Sequence, residues 1–289
     1  MFSIELTFLK WLESLRTDFL NTLVQGITIL GEETLMILLV VTLWFAVNKK
    51  LAQKVLFITV SSLTVNGIIK NIAKIPRPFT KGISCVRMDT ATGYAFPSGH
   101  TQGLATWTTV FAFKYKKLWL SLLTGGVILL VGFSRLYLGA HYPSDVIVGI
   151  TLGVGIAIIG SILFDKIQDT KKLYLTTLLI FSPFIVYFLF NPEPLFADVY
   201  KTFGMLGGLT LVSFLEEKSA ELSYDVVWWK KLLRVVIGIV FAYALKEGIK
   251  AINVFETLQI SLLIDSLRYF VIVLAVGFVC PLFFKKVKL

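Results

Sequence analysis

Histidine, cysteine and charge are all scarce in this sequence. Its 289 residues hold two histidines, two cysteines and eight prolines, and charged side chains make up only 16%. Soluble domains average about 25% charged residues, so a fully solvated globular surface is excluded. Two cysteines cannot staple a small secreted scaffold, and no Cys or His spacing suits a metal site. Chemistry that needs an imidazole has only His100 and His141 to draw on. The N-terminus is amphipathic rather than basic and then apolar, which predicts no cleavable signal peptide.

What the chain has instead is apolar length. Hydrophobic residues make up 56% and mean hydropathy is +0.80. The apolar residues lie in blocks at 34–48, 55–73, 100–113, 118–134, 144–164, 173–190, 202–215, 232–248 and 264–284. Blocks of this kind predict an all-α, polytopic integral membrane helix bundle of about nine transmembrane helices. Residues 6–30 place leucines on a helical period with Lys10, Glu13, Arg16 and Asp18 between them. That pattern predicts an amphipathic helix in the interface, with a true span as its rival. The expected organisation is an N-terminal helix (1–30), a core (31–168) and additional spans (169–289).

The formal net charge is +10. The basic residues gather at the ends of apolar runs, so they are read as orientation signals rather than as a nucleic-acid surface. Lysine clusters such as Lys49, Lys50 and Lys54, or Lys114, Lys116 and Lys117, mark the cytoplasmic set of connections. The loops 71–99 and 135–143 then face outward together, each delivering one histidine. On that topology Cys85 and Cys280 lie near opposite faces, which excludes a disulfide between them.

Three stretches on the outer face carry polar residues that a span does not need. In "KNIAKIPRP", Lys70 and Arg77 are seven residues apart, two helical turns, so both are expected on one face. Asn66, one turn earlier, is placed to hold the Lys70 ammonium, while Pro76 and Pro78 end the helix. Alone, such a pair also reads as an interfacial anchor. In "PSGH", Ser98 is expected to N-cap the next helix and Gly99 to clear its first turn. A helix start of this kind is an anion site, with His100 beside it to move a proton. In "SRLYLGAHYPSD", His141 and Asp145 stand at i and i+4. A helix beginning near Pro143 would let the carboxylate fix the imidazole tautomer and leave the other nitrogen as a nucleophile. Arg135 adds a bidentate donor for an oxyanion.

In this order, Lys-x6-Arg-Pro, Pro-Ser-Gly-His and Ser-Arg-x5-His-x3-Asp resemble the three-part signature of the type 2 phosphatidic acid phosphatase superfamily. This group includes bacterial lipid and undecaprenyl-pyrophosphate phosphatases, glucose-6-phosphatase and, more distantly, soluble acid phosphatases and vanadium haloperoxidases. The resemblance covers roughly residues 30–165, and the layout of about nine spans is similar to glucose-6-phosphatase. It implies that His141 attacks phosphorus to give a phosphohistidine, that Asp145 orients His141, and that His100 protonates the leaving oxygen. Lys70, Arg77 and Arg135, with Ser98 and the Gly99 amide, would hold the phosphoryl oxygens without a metal or cofactor.

The expected function is therefore an integral membrane phosphatase acting on a lipid phosphate or pyrophosphate at the non-cytoplasmic face, in the cell (plasma) membrane if the source is a bacterium. Its expected partners are the phosphorylated lipid and the membrane, and not nucleic acid. A phosphotransferase, a sugar-phosphate phosphatase and a non-catalytic lipid-binding or transport protein are the alternatives. Residues 170–289 offer no motif that assigns them a part in the chemistry.

Overall fold

The computed structural model describes residues 2–215, 222–252 and 257–289. Among these every regular element is helical. The main helices are α1 (Phe2–Ser14), α2 (Asp18–Thr28), α3 (Glu33–Thr42), α4 (Lys49–Ala73), α5 (Gly99–Tyr115), α6 (Leu118–Tyr137) and α7 (Pro143–Lys166). They are followed by α8 (Thr170–Phe190), α9 (Ala197–Leu215), α10 (Trp228–Ile252), α11 (Leu258–Leu274) and α12 (Cys280–Lys286).

Five helical stretches are long and apolar enough to cross a membrane, six if Asp18–Gly31 and Glu33–Val47 count as one bent span. Nine spans are expected from sequence; three of the nine apolar blocks lie in helices of the described residues that do not meet this test of length and composition. Block 100–113 lies in α5, whose 17 residues include Thr101, Gln102, Thr106 and Thr108, all buried. Block 232–248 lies in α10, which begins with Lys230, Lys231 and Arg234 and ends with Lys246, Glu247 and Lys250. Block 202–215 lies in α9, diluted by Gly204, Gly207, Gly208 and Thr210. Apolar runs mark burial as readily as lipid contact: α5 and α9 bury polar side chains such as Gln102, Thr106, Thr202 and Thr210, whereas α10 leaves Leu232, Val236, Val240 and Tyr243 exposed.

The segment 1–30 is also not a single helix. Helix α1 stops at Ser14, and Thr17 caps α2 by accepting from the Leu20 amide at 3.3 Å. Only the second half joins the bent candidate span; α1 keeps the amphipathic character, with Leu9 and Leu12 buried and Ile4 and Trp11 exposed.

The chain divides into two compact units, Met1–Leu35 with Val65–Ser161, and Met36–Thr64 with Ile162–Leu289. Residues 36–64 thus group with the C-terminal helices rather than with the core expected at 31–168. All the candidate site residues belong to the first unit. There, α5 and α6 enclose Leu104, Ala105, Ile128 and Val131. Glycines of α7 allow the start of α5 to lie directly on its backbone. A Cβ at Gly153 would come within 2.6 Å of the Gln102 carbonyl oxygen, and one at Gly149 within 2.8 Å of that of Ser98.

In the second unit α9 and α11 pack at backbone contact. A Cβ on Gly204 would collide with the Ser266 carbonyl oxygen, and one on Gly208 would reach 2.6 Å from that of Phe270. Small residues at such a seam let the two backbones approach closely and gain dispersion contacts. Arg268 of α11 is buried and pairs with Asp265 at 2.7 Å. Gly204→Leu is expected to force these helices apart at a cost of about 1–3 kcal/mol. A lowered melting midpoint in detergent, with Gly207→Ala close to wild type, is the check.

Candidate active site

Lys70 lies in the last turn of α4, but Arg77 does not continue its face. The helix stops at Ala73, Lys74 adopts a left-handed φ of 49°, and Arg77 is extended at φ −75° and ψ 157°. The expected two-turn spacing on one helix is corrected: a reversal at Lys74, ahead of Pro76, brings the guanidinium in from a strand-like segment. Lys70 Nζ donates to the Tyr94 carbonyl at 2.6 Å. Arg77 donates through Nε to the Gly93 carbonyl at 2.9 Å and through Nη2 to that of Thr92. Both cations therefore shape the segment leading into "PSGH".

Ser98 occupies the N-cap of α5, yet its hydroxyl does not cap. It meets the Thr101 hydroxyl at 2.9 Å, which leaves the first turn without a side-chain acceptor. The expectation of a capping serine is corrected, and the amide groups of the turn keep their donor capacity toward an anion. The turn is seated from two sides. Asn66 Nδ2 donates to the Pro97 carbonyl at 3.2 Å and to Gln102 Oε1 at 2.8 Å, and the Ser98 amide donates to the Asp145 carbonyl at 3.0 Å. Asn66 thus fixes the turn. His100, the second residue of α5, has a buried Nε2 with no hydrogen-bond partner. Gly31 packs against it so closely that a Cβ there would lie 3.3 Å from His100 Cβ.

His141 stands between α6 and α7, only 1% exposed. Its Nδ1 lies 3.2 Å from Asp145 Oδ2, and that oxygen also accepts from the Tyr142 amide at 2.8 Å. Asp145 is in the first turn of α7, where a carboxylate reaching back to the N-cap amide is half of a capping box. The opposite nitrogen, Nε2, lies 3.2 Å from Arg77 Nη1, which also donates to the Ala140 carbonyl at 3.0 Å. Arginine can only donate. Nε2 must therefore be the acceptor, and the neutral imidazole carries its proton on Nδ1, toward Asp145. Burial first, then the positive fields of Arg77, Lys70 and Arg135, hold His141 well below its ordinary pKa. A neutral imidazole with its lone pair among cations is the result.

Arg135 is fully buried in the last turn of α6. Its Nη1 donates to Thr28 Oγ1 at 2.9 Å, and its Nε has no hydrogen-bond partner. Thr28 has no signature in the sequence beyond its place in the N-terminal periodicity. Further from His141, Arg87 bridges Glu32 at 2.7 Å and Asp89 at 2.8 Å. Among the described residues no three His, Cys, Asp or Glu side chains gather as metal ligands would. The eight residues expected from sequence all lie in one unit. Asp145 and Arg77 touch His141, and Ser98 is bonded to the Asp145 backbone.

An oriented neutral imidazole in a cluster of lysine and arginine, on an all-helical membrane-type chain, is an arrangement chemically suited to an anionic, phosphate-like group. Residues 51–169 match the PAP2 superfamily, and residues 200–289 match the PAP2 superfamily phosphatase transmembrane extension. The undecaprenyl-diphosphatase BcrC of Bacillus subtilis is 31% identical over 138 residues, 47% of this chain and 68% of that protein. The dolichyldiphosphatase of Saccharomyces cerevisiae is 33% identical over 141 residues, 45% of this chain and 58% of that one. Phosphatidylglycerophosphatase B of Bacillus subtilis is 28% identical over 154 residues, 48% and 73% of the two chains. The chain belongs to the PAP2 superfamily. The C-terminal segment, for which the sequence offered no motif, falls largely within the transmembrane extension.

Proposed function

We propose that this chain hydrolyses a phosphorylated lipid, monoester or diphosphate, through a phosphohistidine at His141. The observation that carries the proposal is the pair of contacts on one imidazole, Asp145 on Nδ1 and Arg77 on Nε2, both at 3.2 Å. A phosphoryl group drawing Arg77 onto its own oxygens would leave the Nε2 lone pair facing phosphorus. The N–P bond forms as the bond from phosphorus to the leaving oxygen breaks, the lipid oxygen of a monoester or the bridging oxygen of a diphosphate, and His100 supplies the proton to that oxygen. Water then attacks phosphorus on the far side, giving a proton to His100. The P–N bond breaks, and phosphate leaves with His141 neutral again. Asp145 stabilises the imidazole while it carries charge. Lys70, Arg77 and Arg135, with Ser98 and the Gly99 amide, compensate the developing charge on the phosphoryl oxygens.

A lipid is supported by the relatives that carry the same core, which are named for undecaprenyl and dolichyl diphosphates and for phosphatidylglycerophosphate. A non-cytoplasmic site is supported by α6 alone. Lys114, Lys116 and Lys117 lie at or before its start and Arg135 near its end, and the positive-inside bias favours the lysine turn in the cytoplasm with the site opposite.

Phosphate release by the purified protein, across lipid monophosphates and diphosphates with and without chelator, tests the reading. Activity should survive chelation, because arginine and lysine carry the charge, and vanadate should inhibit by occupying the phosphoryl site. Strict dependence on added magnesium, or release from no lipid substrate, would contradict it.

A further inference from the structure

The loop that presents His141 is tied at both ends by side chains from α1 and from the turn that follows it. At its C-terminal end, Glu5 Oε1 accepts from the Ser144 amide at 2.8 Å. Ser144 lies in the first turn of α7, immediately before Asp145. At its N-terminal end, Arg16 Nε donates to the carbonyl of Tyr137, the last residue of α6, at 2.8 Å. Arg16 Nη1 donates to Ser84 at 2.9 Å (carbonyl) and 2.7 Å (hydroxyl), and Glu13 accepts from the Ser84 amide at 2.9 Å. Between the two ties, Leu9 and Leu12 of α1 form one buried cluster with Tyr142, the residue after His141, and with Ile83 and Ala95. Gly139, at φ 74°, brings the loop backbone so close that a Cβ would lie 2.9 Å from Arg16 Nη2.

We infer that Glu5 and Arg16 are positioning residues for the histidine, an inference that rests on the phosphohistidine reading. The reason lies in how amides and acceptors are shared at the start of α7. The opening amides of a helix have no intrahelical acceptor. Here the Tyr142 amide uses Asp145 Oδ2, and the Ser144 amide uses Glu5. Asp145 Oδ1 is buried without a partner. Without Glu5, the Ser144 amide is left to compete for the carboxylate of the adjacent Asp145, and turning that carboxylate would draw Oδ2 away from His141 Nδ1. Arg16 fixes the other end, so that α6 and the loop cannot shift relative to Arg77, whose Nη1 holds Ala140. These contacts act on the reacting imidazole through Asp145 and through the backbone, and neither residue meets the substrate. Substrate capture should therefore be spared while the chemical step suffers.

The test uses the full chain in lipid nanodiscs, with phosphatidic acid and an isoprenyl diphosphate as substrates. Glu5→Ala should lower kcat about 10- to 100-fold, the scale set by a misplacement of about 1 Å, with KM little changed. Hydrogen exchange should quicken in the peptide spanning Tyr137–Val146 and not elsewhere in the chain. Glu5→Gln keeps an acceptor for Ser144 and should retain most of kcat, which a requirement for the charge alone would not allow. If Glu5→Ala does not fold, Arg16→Ala carries the same test from the α6 end. Wild-type kcat and exchange in the folded alanine variants would overturn the inference, as would a rise in KM with kcat intact. His141→Ala runs alongside. An inactive His141→Ala beside an unimpaired Glu5→Ala removes the clamp and leaves the histidine reading standing. An active His141→Ala removes that reading first.

Discussion

Alanine at position 141 is expected to abolish turnover on every lipid phosphate and diphosphate. Removal of a covalent nucleophile costs on the order of 10⁶-fold in kcat, and no other group here is placed to replace it. His141 is 1% exposed, its Nδ1 is committed to Asp145, and its Nε2 already faces the guanidinium of Arg77. The loss should fall on kcat, with the variant still binding vanadate, because Lys70, Arg77 and Arg135 remain. Steady-state phosphate release on protein of monodisperse elution decides it. Near-native rates would mean that the oriented imidazole is only a structural histidine.

His100→Ala is expected to slow turnover about 10²- to 10⁴-fold, the usual worth of general acid–base help. Its signature is dependence on the leaving group. A lipid monoester must expel an alkoxide, which needs the proton that the buried, unpartnered Nε2 of His100 would give. A lipid diphosphate expels a lipid monophosphate, a weaker base that leaves with less help. The variant should therefore lose more activity on the monoester than on the diphosphate, and retain most on an ester with an acidic leaving group. An equal loss on all three would assign His100 to binding rather than to proton transfer.

Much of this site is legible in the sequence because its chemistry is local. His141 and Asp145 need only one helix start to meet, and Pro143 supplies it at the first position of α7. "PSGH" marks a helix start for the same reason, although Ser98 turns its hydroxyl to Thr101 instead of capping. What fails is what depends on backbone that residue spacing does not encode. Lys70 and Arg77 look like helix neighbours, but a positive φ at Lys74 breaks the helix between them. The number of spans is not legible from hydropathy alone, which does not separate lipid-facing helices from helices such as α5 and α9 with buried polar side chains. Glu5 and Arg16 carry no motif, since their partners Ser144 and Tyr137 lie 139 and 121 residues away. The periodicity of residues 6–30 suggests an interfacial helix, with a true span as its rival, and neither reading contains the contacts of Glu5 and Arg16 with the loop that carries His141.

The stereochemical course at phosphorus tests the central claim most directly. A substrate whose phosphorus is made chiral with sulfur and oxygen isotopes is hydrolysed by the full-length enzyme, and the configuration of the released thiophosphate is determined. Attack by His141 followed by attack of water is two in-line displacements, so the account predicts net retention. Net inversion would mean that water displaces the lipid oxygen in one step, and no phosphohistidine forms.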